Sequence, residues 1–507
     1  MRMLPSVSPY KNEQRIYHGT WIAKSFLAAF PPSTYTHTFT NYGSPTISVD
    51  ETTAQTAELD QHLATHIAHL ESHWNQALER HQFDGAWLSA GEAIFDFQDD
   101  HGPRFKPNPY LAQWVAPEFI SPGTRLLIRP GHKPVLFLHQ PTDYWHAHAP
   151  LPQQLAPYVE IQPFAETGEL LKACQQHMQA TSKMAFIGPE EGSNEQFGEA
   201  NPAELTAYLH FHRAHKTSYE LAVMRRASAI GVAGHIAAEA CFHAGGSEFD
   251  IHMAYLVGSQ QSEVQLPYGN IVALNEHGSV LHYQFQDRTV PEPYRSLLID
   301  AGGSCRGFAS DITRTYAAQG PAHQLFSNLI DAMENHQLAL IDSVRPGITF
   351  ADLHIQMHQQ LGQILADADL VSCSPEQAFE DSITEDFCPH GLGHLLGLQV
   401  HDVGGHLADE NGNNAPPPEQ YPTLRFTRAV ELDHVFTIEP GLYFIESLLA
   451  DAKNHKTKRN LINWHTVENL KGYGGILIED NVRVLPDGVE NLTRNAFRNN
   501  QSCACND

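Results

Sequence analysis

Two aspartates that flank a glycine turn have a spacing suited to chemistry. An apolar run at 297–299 ends in Asp300, the chain turns at Gly302 and Gly303, and Asp311 follows eleven residues after Asp300. Such a return can place two carboxylates side by side across an antiparallel pair of strands. Adjacent buried carboxylates repel each other unless a cation lies between them. The structural alternative is that Asp300 caps a turn and Asp311 lies on the surface, because Asp is common at turns.

A second cluster contains three histidines within twelve residues. His390, His394 and His401 stand among glycines at 391, 393 and 397. Glycine lets the backbone approach a ligand closely, and neutral imidazoles bind metals or carry protons. Any one of these histidines could instead be a buried structural group that only forms hydrogen bonds. Three such roles side by side are less favoured than a shared site.

Two glutamates, Glu439 and Glu479, each end an apolar run. A buried glutamate needs a cation or a strong donor, because burying its charge alone is costly. Four carboxylates also carry the charge that balances two divalent ions. An oxygen-rich set with one imidazole suits Mn²⁺, Co²⁺ or Zn²⁺, and the absence of thiolates argues against a purely structural zinc site.

These motifs resemble the prolidase and aminopeptidase P family, whose catalytic domain has the pita-bread fold. The resemblance covers residues 56–490, and its specific strings are Pro-His-Gly-Leu-Gly-His at 389–394, Gln-Val-His-Asp at 399–402, Thr-Ile-Glu-Pro-Gly at 437–441 and Ile-Glu-Asp-Asn-Val at 478–482. The segments 216–221 and 105–109 resemble bacterial prolidases in particular. The resemblance implies two metal ions, with manganese expected and cobalt or zinc as alternatives. The five implied ligands are Asp300, Asp311, His394, Glu439 and Glu479.

The same resemblance implies roles around the metal ions. The implied catalytic residues are Glu439, which relays a proton, with His282, His390 and His401. The implied substrate-binding residues are Tyr268, His282, His401 and Arg425. Arg425 is expected to hold the carboxylate of a dipeptide, a task that suits a bidentate guanidinium. The alternative for Arg425 is an exposed ion pair, which is common and weak.

The chain departs from the family pattern at Leu477. Prolidases usually have Gly-Ile-Arg-Ile-Glu before the last ligand, and leucine stands in the place of that arginine. On a strand, a side chain two residues before Glu479 shares the face of Glu479, so the site loses a cation. We therefore expect a slow dipeptidase that Leu477→Arg accelerates. If the pocket has repacked around leucine, the buried guanidinium destabilises the fold instead.

The activity expected from the resemblance is hydrolysis of Xaa-Pro dipeptides before the C-terminal proline. The proline nitrogen carries no hydrogen, so ordinary peptidases lack a donor to hold. One alternative is an aminopeptidase that acts on longer peptides, with phosphotriester side activity in either case. The other is a catalytically weakened binding protein that keeps the fold, which Leu477 favours and the five retained ligands oppose.

Composition limits the partners. The 507 residues have 31 Lys and Arg against 58 Asp and Glu, a net charge of -27, which argues against nucleic acids and anionic membrane surfaces. No apolar run approaches the roughly 20 residues that span a bilayer. The seven scattered cysteines are typical of reduced thiols, so we expect a cytoplasmic enzyme. The resemblance implies a homodimer in which Asp99 or Asp100 approaches the partner's active site.

The elements that position these residues indicate an α/β or α+β chain, with a mixed α/β N-terminal domain before the pita-bread catalytic domain. We expect an N-terminal extension at 1–53, the two domains at 54–210 and 211–495, and a C-terminal tail at 496–507 that is frayed at its last two cysteines. Helical spacing of apolar residues predicts a long helix at 56–82. Capping boxes predict helices that begin after Thr217 and Ser247. Strands are predicted at 270–274, 296–300, 313–317, 435–438 and 475–479.

Overall fold

The computed structural model describes residues 59–142, 144–145, 147–177, 182–189 and 197–504, so the predicted extension at 1–53 lies outside the described residues. The predicted helix at 56–82 is observed as Leu63–Arg80, after a helical turn at 59–61 that is interrupted at His62. Its periodic apolar residues from Leu63 to Leu78 are buried, as the spacing predicted. Among the described helices, none combines the length and the apolar character needed to cross a membrane.

The N-terminal part contains a six-stranded mixed sheet. Its strands are β1 Gly85–Ser89, β2 Arg125–Ile128, β3 Val135–His139, β4 Glu160–Phe164, β5 Met184–Ile187 and β6 Glu199–Ala200, in the spatial order β4-β3-β2-β1-β5-β6. Strand β2 is antiparallel to β1 and β3, and the other neighbours are parallel. The helices of this part are Leu63–Arg80, Pro109–Ala112, Thr167–Gln176 and Ala203–Arg213.

The two faces of this sheet belong to different apolar clusters. Ala86 and Leu88 of β1 pack into one cluster, and Trp87 between them packs into another. Successive side chains of a strand point to opposite faces, so covering both faces explains why β1 is buried along its whole length.

The C-terminal part contains small antiparallel sheets surrounded by helices. Its strands are β7 Ile271–Leu274, β8 Ser296–Asp300, β9 Ser304–Cys305, β10 Phe308–Ala309, β11 Thr313–Ala317, β12 Val435–Ile438, β13 Gly441–Tyr443, β14 Gly475–Leu477, β15 Asp480–Leu485 and β16 Gly488–Asn491. The sheets have the orders β11-β8-β7 and β12-β15-β16, with the pairs β9/β10 and β13/β14. The helices are Ser218–His243, Glu248–Ser259, Gln324–Ser343, Phe350–Asp367, Pro375–Glu380, Ile383–Phe387, Glu446–Asn454, Lys458–Leu461, Trp464–Leu470 and Leu492–Ala504.

Local sequence signals correctly predicted several of the helix starts and strand bounds. Both predicted capping boxes are present, at Thr217 with Glu220 and at Ser247 with Asp250. Strands β8, β11 and β12 match their predicted bounds. The division of the chain into domains between residues 210 and 211 stays a prediction. The tail is helical as far as Ala504, so the fraying expected at the cysteine pair is not observed at Cys503.

One predicted strand is shorter than expected. The strand predicted at 475–479 ends at Leu477, and a new strand begins at Asp480. The physical reason is a change of partner, because β14 pairs with β13 whereas β15 pairs with β12. Between them, Glu479 forms an isolated bridge with Thr313. The last predicted ligand therefore lies where the chain passes from one sheet to the next.

A buried group of three charges connects the chain just after the predicted domain boundary to the segment around Asp402. Arg213 ends one helix, Lys216 follows it, and both contact Asp402, at 2.5 Å and 3.2 Å. The three side chains are 4%, 1% and 2% exposed, respectively. Burial alone would raise the pKa of Asp402, but Arg213 and Lys216 outweigh burial and lower it. The segment that bears Asp402 is therefore fixed to the helix end by two charge-assisted contacts.

We expect Asp402→Ala to destabilise the protein by about 3–5 kcal/mol, because it leaves two buried cations without their partner. Urea unfolding near pH 7 measures this loss, and Asp487→Ala, at an exposed aspartate, is the matched control. The lowered pKa means that this stabilisation is present above the ordinary Asp pKa of about 3.9 and disappears as the pH falls through the folded-state pKa. Equal unfolding midpoints for Asp402→Ala and the wild type would contradict a stabilising role for these contacts.

Candidate metal centre

The two aspartates predicted to face each other are close together. Asp300 ends β8 and pairs with Thr313, so Asp311 lies two residues before the paired position. The Tyr268 hydroxyl is 2.7 Å from Asp300 Oδ1 and 2.5 Å from Asp311 Oδ1. Asp311 is only 5% exposed, so the alternative that placed it on the surface is wrong. Its backbone N–H donates to the Asn481 side chain, which fixes this turn.

His394 and Glu439 approach the same carboxylates. His394 Nε2 lies 3.4 Å from Asp311 Oδ2 and 3.6 Å from Glu439 Oε1. The Nδ1 of His394 is 3.1 Å from the Leu395 carbonyl. A carbonyl can only accept, so Nδ1 carries the proton and the lone pair of the neutral ring is on Nε2, on the side of the carboxylates.

Threonine hydroxyls orient both glutamates. Thr313 Oγ1 donates to Glu479 Oε2 at 2.7 Å, and Thr437 Oγ1 donates to Glu439 Oε1 at 3.2 Å. Thr437 also accepts from the backbone N–H of His394 at 3.0 Å. One ligand atom each from Asp311, His394 and Glu479 lies within 4.8 Å of the others. The five side chains predicted as metal ligands therefore meet in one buried cluster.

The electrostatics of this cluster favour a cation. Burial is the largest cause that raises the pKa of Asp300, Glu439 and Glu479, and repulsion from Asp311 adds to it in each case. A divalent ion removes both penalties, because it replaces lost hydration and neutralises the repulsion. Carboxylate oxygens with one imidazole also form a donor set suited to Mn²⁺, Co²⁺ or Zn²⁺. The donor set therefore fits the two ions that the family resemblance implies.

Sequence reasoning missed a second charge cluster directly behind the first. Asp480 is fully buried and accepts from Arg314 at 2.7 Å and from Arg494 Nε at 2.7 Å. Arg314 also donates to the Glu479 carbonyl at 2.8 Å. The two guanidinium groups outweigh the effect of burial and lower the pKa of Asp480. The only sequence signal was the adjacency of Glu479 and Asp480, since neighbours on a strand point to opposite faces.

The histidines at the rim lie in different environments. His390 donates from Nδ1 to the Gly391 carbonyl at 2.8 Å, and its Nε2 is 3.1 Å from the Tyr443 hydroxyl. Its Nδ1 is also 3.8 Å from Glu439 Oε2. The His401 ring stands perpendicular to that of His394, with 4.4 Å between ring centroids. Burial, followed by the charge of His394, lowers the pKa of His401 to about 4, so this ring is neutral near pH 7.

The remaining predicted residues lie on the exposed side of the centre. Arg425 and His282 are exposed, and both influence the pKa of His401, which places them near that ring. Within the described part of the chain, Arg425 forms no ion pair, so the alternative role in a surface ion pair is not observed. Tyr443, whose hydroxyl approaches His390, was not predicted, because an apolar run at 441–445 looks like ordinary core.

Leu477 is surrounded by apolar side chains. It is 8% exposed and packs in a cluster with Ile271, Ala273, Leu298 and Tyr443. Its backbone N–H and carbonyl both contact the Thr315 hydroxyl. These neighbours favour the alternative in which the pocket is packed around leucine.

Solved structures with the same fold are bacterial aminopeptidases. The aminopeptidase PepP of Pseudomonas aeruginosa superposes with a TM-score of 0.65 at 20% identity, covering 86% of this chain and 95% of that one. Aminopeptidase P of Escherichia coli with the inhibitor Pro-Leu gives 0.65 at 21% identity, with the same coverage. The fold is therefore the pita-bread fold preceded by a mixed α/β domain. A buried carboxylate-rich centre on this fold is the arrangement of a metal-dependent hydrolase.

Sequence comparison agrees with the fold. Residues 222–486 match the model of metallopeptidase family M24, and residues 61–211 match the N-terminal domain of Xaa-Pro dipeptidase. The Xaa-Pro dipeptidase of Pseudoalteromonas atlantica is 45% identical over 433 residues, 85% of this chain and 97% of that protein. The Xaa-Pro dipeptidase of Shewanella loihica is 44% identical over 432 residues, 85% and 96% of the two chains. The chain belongs to metallopeptidase family M24.

We expect Leu477→Arg to lower the melting temperature, because a buried guanidinium without a partner costs several kcal/mol. Leu477→Met, which keeps the volume and apolar character, is the control and costs less than about 1.5 kcal/mol. Differential scanning calorimetry of the three proteins checks the effect. A Leu477→Arg protein that melts like the wild type and hydrolyses peptide faster would instead show that the missing arginine limits the enzyme.

Proposed function

We propose that this chain is a two-metal Xaa-Pro dipeptidase that hydrolyses the bond before a C-terminal proline. The observation that carries the proposal is the convergence of Asp300, Asp311, His394, Glu439 and Glu479 in one buried cluster. The 45% identity across nearly the whole of a protein named Xaa-Pro dipeptidase supports the choice of substrate. Manganese is the proposed ion, and cobalt and zinc are the alternatives that the same donors accept.

The proposed ions supply one kind of chemistry. When bound, they lower the pKa of water and polarise the substrate carbonyl. The protein side chains hold that centre: Tyr268 donates its hydroxyl between Asp300 and Asp311, and Thr313 and Thr437 orient the two glutamates. These contacts keep the carboxylate oxygens in place before substrate arrives, which is the preorganisation that electrostatic catalysis needs.

Glu439 is the proposed proton carrier. Its Oε1 lies 3.6 Å from Nε2 of the proposed ligand His394, and the Thr437 hydroxyl orients the carboxylate. Its second carboxylate oxygen lies 3.8 Å from His390 Nδ1. We propose that Glu439 takes a proton from the attacking water and passes it to the leaving proline nitrogen. This nitrogen has no hydrogen of its own while it is in the peptide bond.

His401 and His282 are the proposed donors to the developing oxyanion. His401 lies against the ligand His394 and stays neutral near pH 7, so one of its ring nitrogens carries a proton to donate. His282 is exposed on the same side. Donors placed at the position where negative charge develops stabilise the transition state more than the ground state.

Arg425 is the proposed carboxylate anchor. It is exposed and forms no ion pair within the described residues, so its five donors are available to a ligand. It lies close enough to His401 to lower the pKa of that ring. A fixed anchor beside the scissile bond selects free dipeptides over longer peptides, because a longer chain carries its carboxylate farther from the centre.

The assembly and location of the enzyme are part of the proposal. We place it in the cytoplasm as a homodimer in which Asp99 or Asp100 approaches the partner's active site. Both aspartates are exposed in the monomer, in a loop that also exposes Phe95 and Phe97. A loop with exposed aromatic rings beside acidic residues suits contact with a second chain.

We expect Asp311→Ala and Glu439→Ala to abolish hydrolysis of an Xaa-Pro dipeptide and to release metal, because each change removes a charge that holds the ions. Metal content by mass spectrometry and turnover of the dipeptide are measured on the same samples. Asp487→Ala, at an exposed aspartate, is the control and keeps both properties. Full turnover in either ligand variant would refute the two-metal assignment.

We expect Arg425→Ala to raise KM for Xaa-Pro dipeptides roughly ten- to a hundredfold, since a charge-assisted hydrogen bond contributes about 1.5–3 kcal/mol. The matched control is the Xaa-Pro amide, which lacks the charge and should lose little. Arg425→Lys keeps the charge without the planar fork and should fall between the two. Equal losses on the acid and the amide would place the carboxylate site elsewhere. Xaa-Pro tripeptides that are cleaved faster than dipeptides would favour an aminopeptidase.

A further inference from the structure

A cavity lined by histidines lies apart from the candidate metal centre. It has a volume of about 380 Å³ and lies between the helices Leu63–Arg80 and Ala203–Arg213 and the segment that follows. None of the five candidate ligands of the metal centre lines it. Its imidazoles belong to His69, His73, His212 and His215.

The rings of these four histidines are neighbours. His73 lies 5.0 Å from His212 between ring centroids and 6.3 Å from His69, and His212 lies 6.3 Å from His215. His69 and His73 are four residues apart on one helix, so they share a face. Two imidazoles on one tetrahedral ion have ring centres roughly 5 Å apart when the metal–nitrogen bonds are about 2.0–2.1 Å. The pair His73 and His212 already has this spacing.

Two of these rings are oriented by carboxylates. His212 Nε2 is 2.9 Å from Glu410 Oε2, and His215 Nε2 is 2.7 Å from Glu431 Oε2. Carboxylates accept hydrogen bonds, so both Nε2 atoms carry protons and both Nδ1 atoms keep their lone pairs. The Nδ1 of His215 is buried and has no hydrogen-bond partner among the residues that the structure describes. A metal-binding histidine usually donates its second ring N–H to a carboxylate or a carbonyl, which fixes the orientation of the ring.

His73 has no competing role. Within the described residues, its ring takes part in contacts with other rings but in no hydrogen bond. Burial, followed by the neighbouring His212 and His69, lowers the pKa of His73 to about 3, so the ring is neutral and ligand-competent near pH 7. The cation that lines the same cavity, Arg213, is already paired with Asp402. The cavity therefore presents neutral nitrogen donors.

We propose that His73, His212 and His215 bind one divalent transition-metal ion, with His69 as the fourth ligand. An all-imidazole set suits Cu²⁺, Ni²⁺ or Zn²⁺, whereas the carboxylate-rich centre suits harder ions. The pairs His69–His73 and His212–His215, at 6.3 Å, are roughly 1 Å wider than the tetrahedral spacing, so binding requires the outer rings to move toward the central pair. The exposed His69 side chain moves most easily. The ion therefore joins the helices Leu63–Arg80 and Ala203–Arg213 to the segment that carries His215.

A neighbouring group is the weaker candidate. Ligand atoms of His215, Glu431 and His434 lie within 4.8 Å of one another. However, His434 Nδ1 accepts from the Glu431 backbone N–H at 3.2 Å, so the proton of the neutral ring is on Nε2. A metal would have to bind at Nε2, because the lone pair of Nδ1 is already used. Arg428 also holds one Glu431 oxygen at 3.0 Å. By contrast, the His215 Nδ1 has no hydrogen-bond partner within the described residues.

The test uses the full-length chain without an oligohistidine tag, titrated with Cu²⁺ and followed by electron paramagnetic resonance. We expect a mononuclear signal with hyperfine coupling to at least three imidazole nitrogens. The carboxylate-rich centre has one proposed histidine ligand, with His401 beside it, and we expect Asp311→Ala to release its metal. The Asp311→Ala protein should therefore keep the signal even though its catalytic centre is disrupted, which separates this proposal from the proposed function.

The variants His73→Gln and His212→Gln should each lose this coupling and bind one ion fewer per chain. The matched control is His62→Gln, at an exposed histidine beside the same helix but outside the cavity. It should keep both the coupling and the ion. Melting temperatures without added metal establish that the variants are folded, and the partly exposed His212 is the safer of the two positions. A wild-type spectrum without multiple nitrogens, or an unchanged spectrum in both variants, would overturn the proposal.

Discussion

Repulsion among buried carboxylates is the constraint on which the candidate catalytic centre depends. Four acidic side chains meet where burial and mutual charge raise the pKa of Asp300, Glu439 and Glu479. A protein keeps such an arrangement only if other interactions hold the backbone beneath it. Here the support comes from strand ends, because Asp300 ends β8, Glu439 directly follows β12 and Glu479 lies between β14 and β15.

Each proposed ligand is positioned by a neighbour outside the proposed ligand set. The hydroxyls of Thr313 and Thr437 orient the glutamates, the Leu395 carbonyl orients His394, and the Tyr268 hydroxyl lies between the aspartates. Such supporting contacts fix the rotamers of the ligands before catalysis begins. The geometry of the candidate centre is therefore a property of the sheets as much as of the five proposed ligands.

The sequence predicted the parts of the structure that depend on local chemistry. Capping residues placed helix starts at Thr217 and Ser247, and apolar runs placed β8, β11 and β12. The sequence did not predict features that depend on tertiary contacts. The alternation of side chains within a strand does not show that the chain changes its pairing strand beside Glu479. It also could not show that Leu477 has an apolar environment or that Asp480 meets two arginines, since these neighbours are distant in the chain.

The pairing of Asp480 with Arg314 and Arg494 supports the candidate centre from behind. These three groups satisfy one another without any ion, and they lie directly behind Glu479. The rear wall of the centre therefore reaches its final arrangement through protein contacts alone. The contacts of Asp480 therefore do not depend on which divalent ion the carboxylates accept.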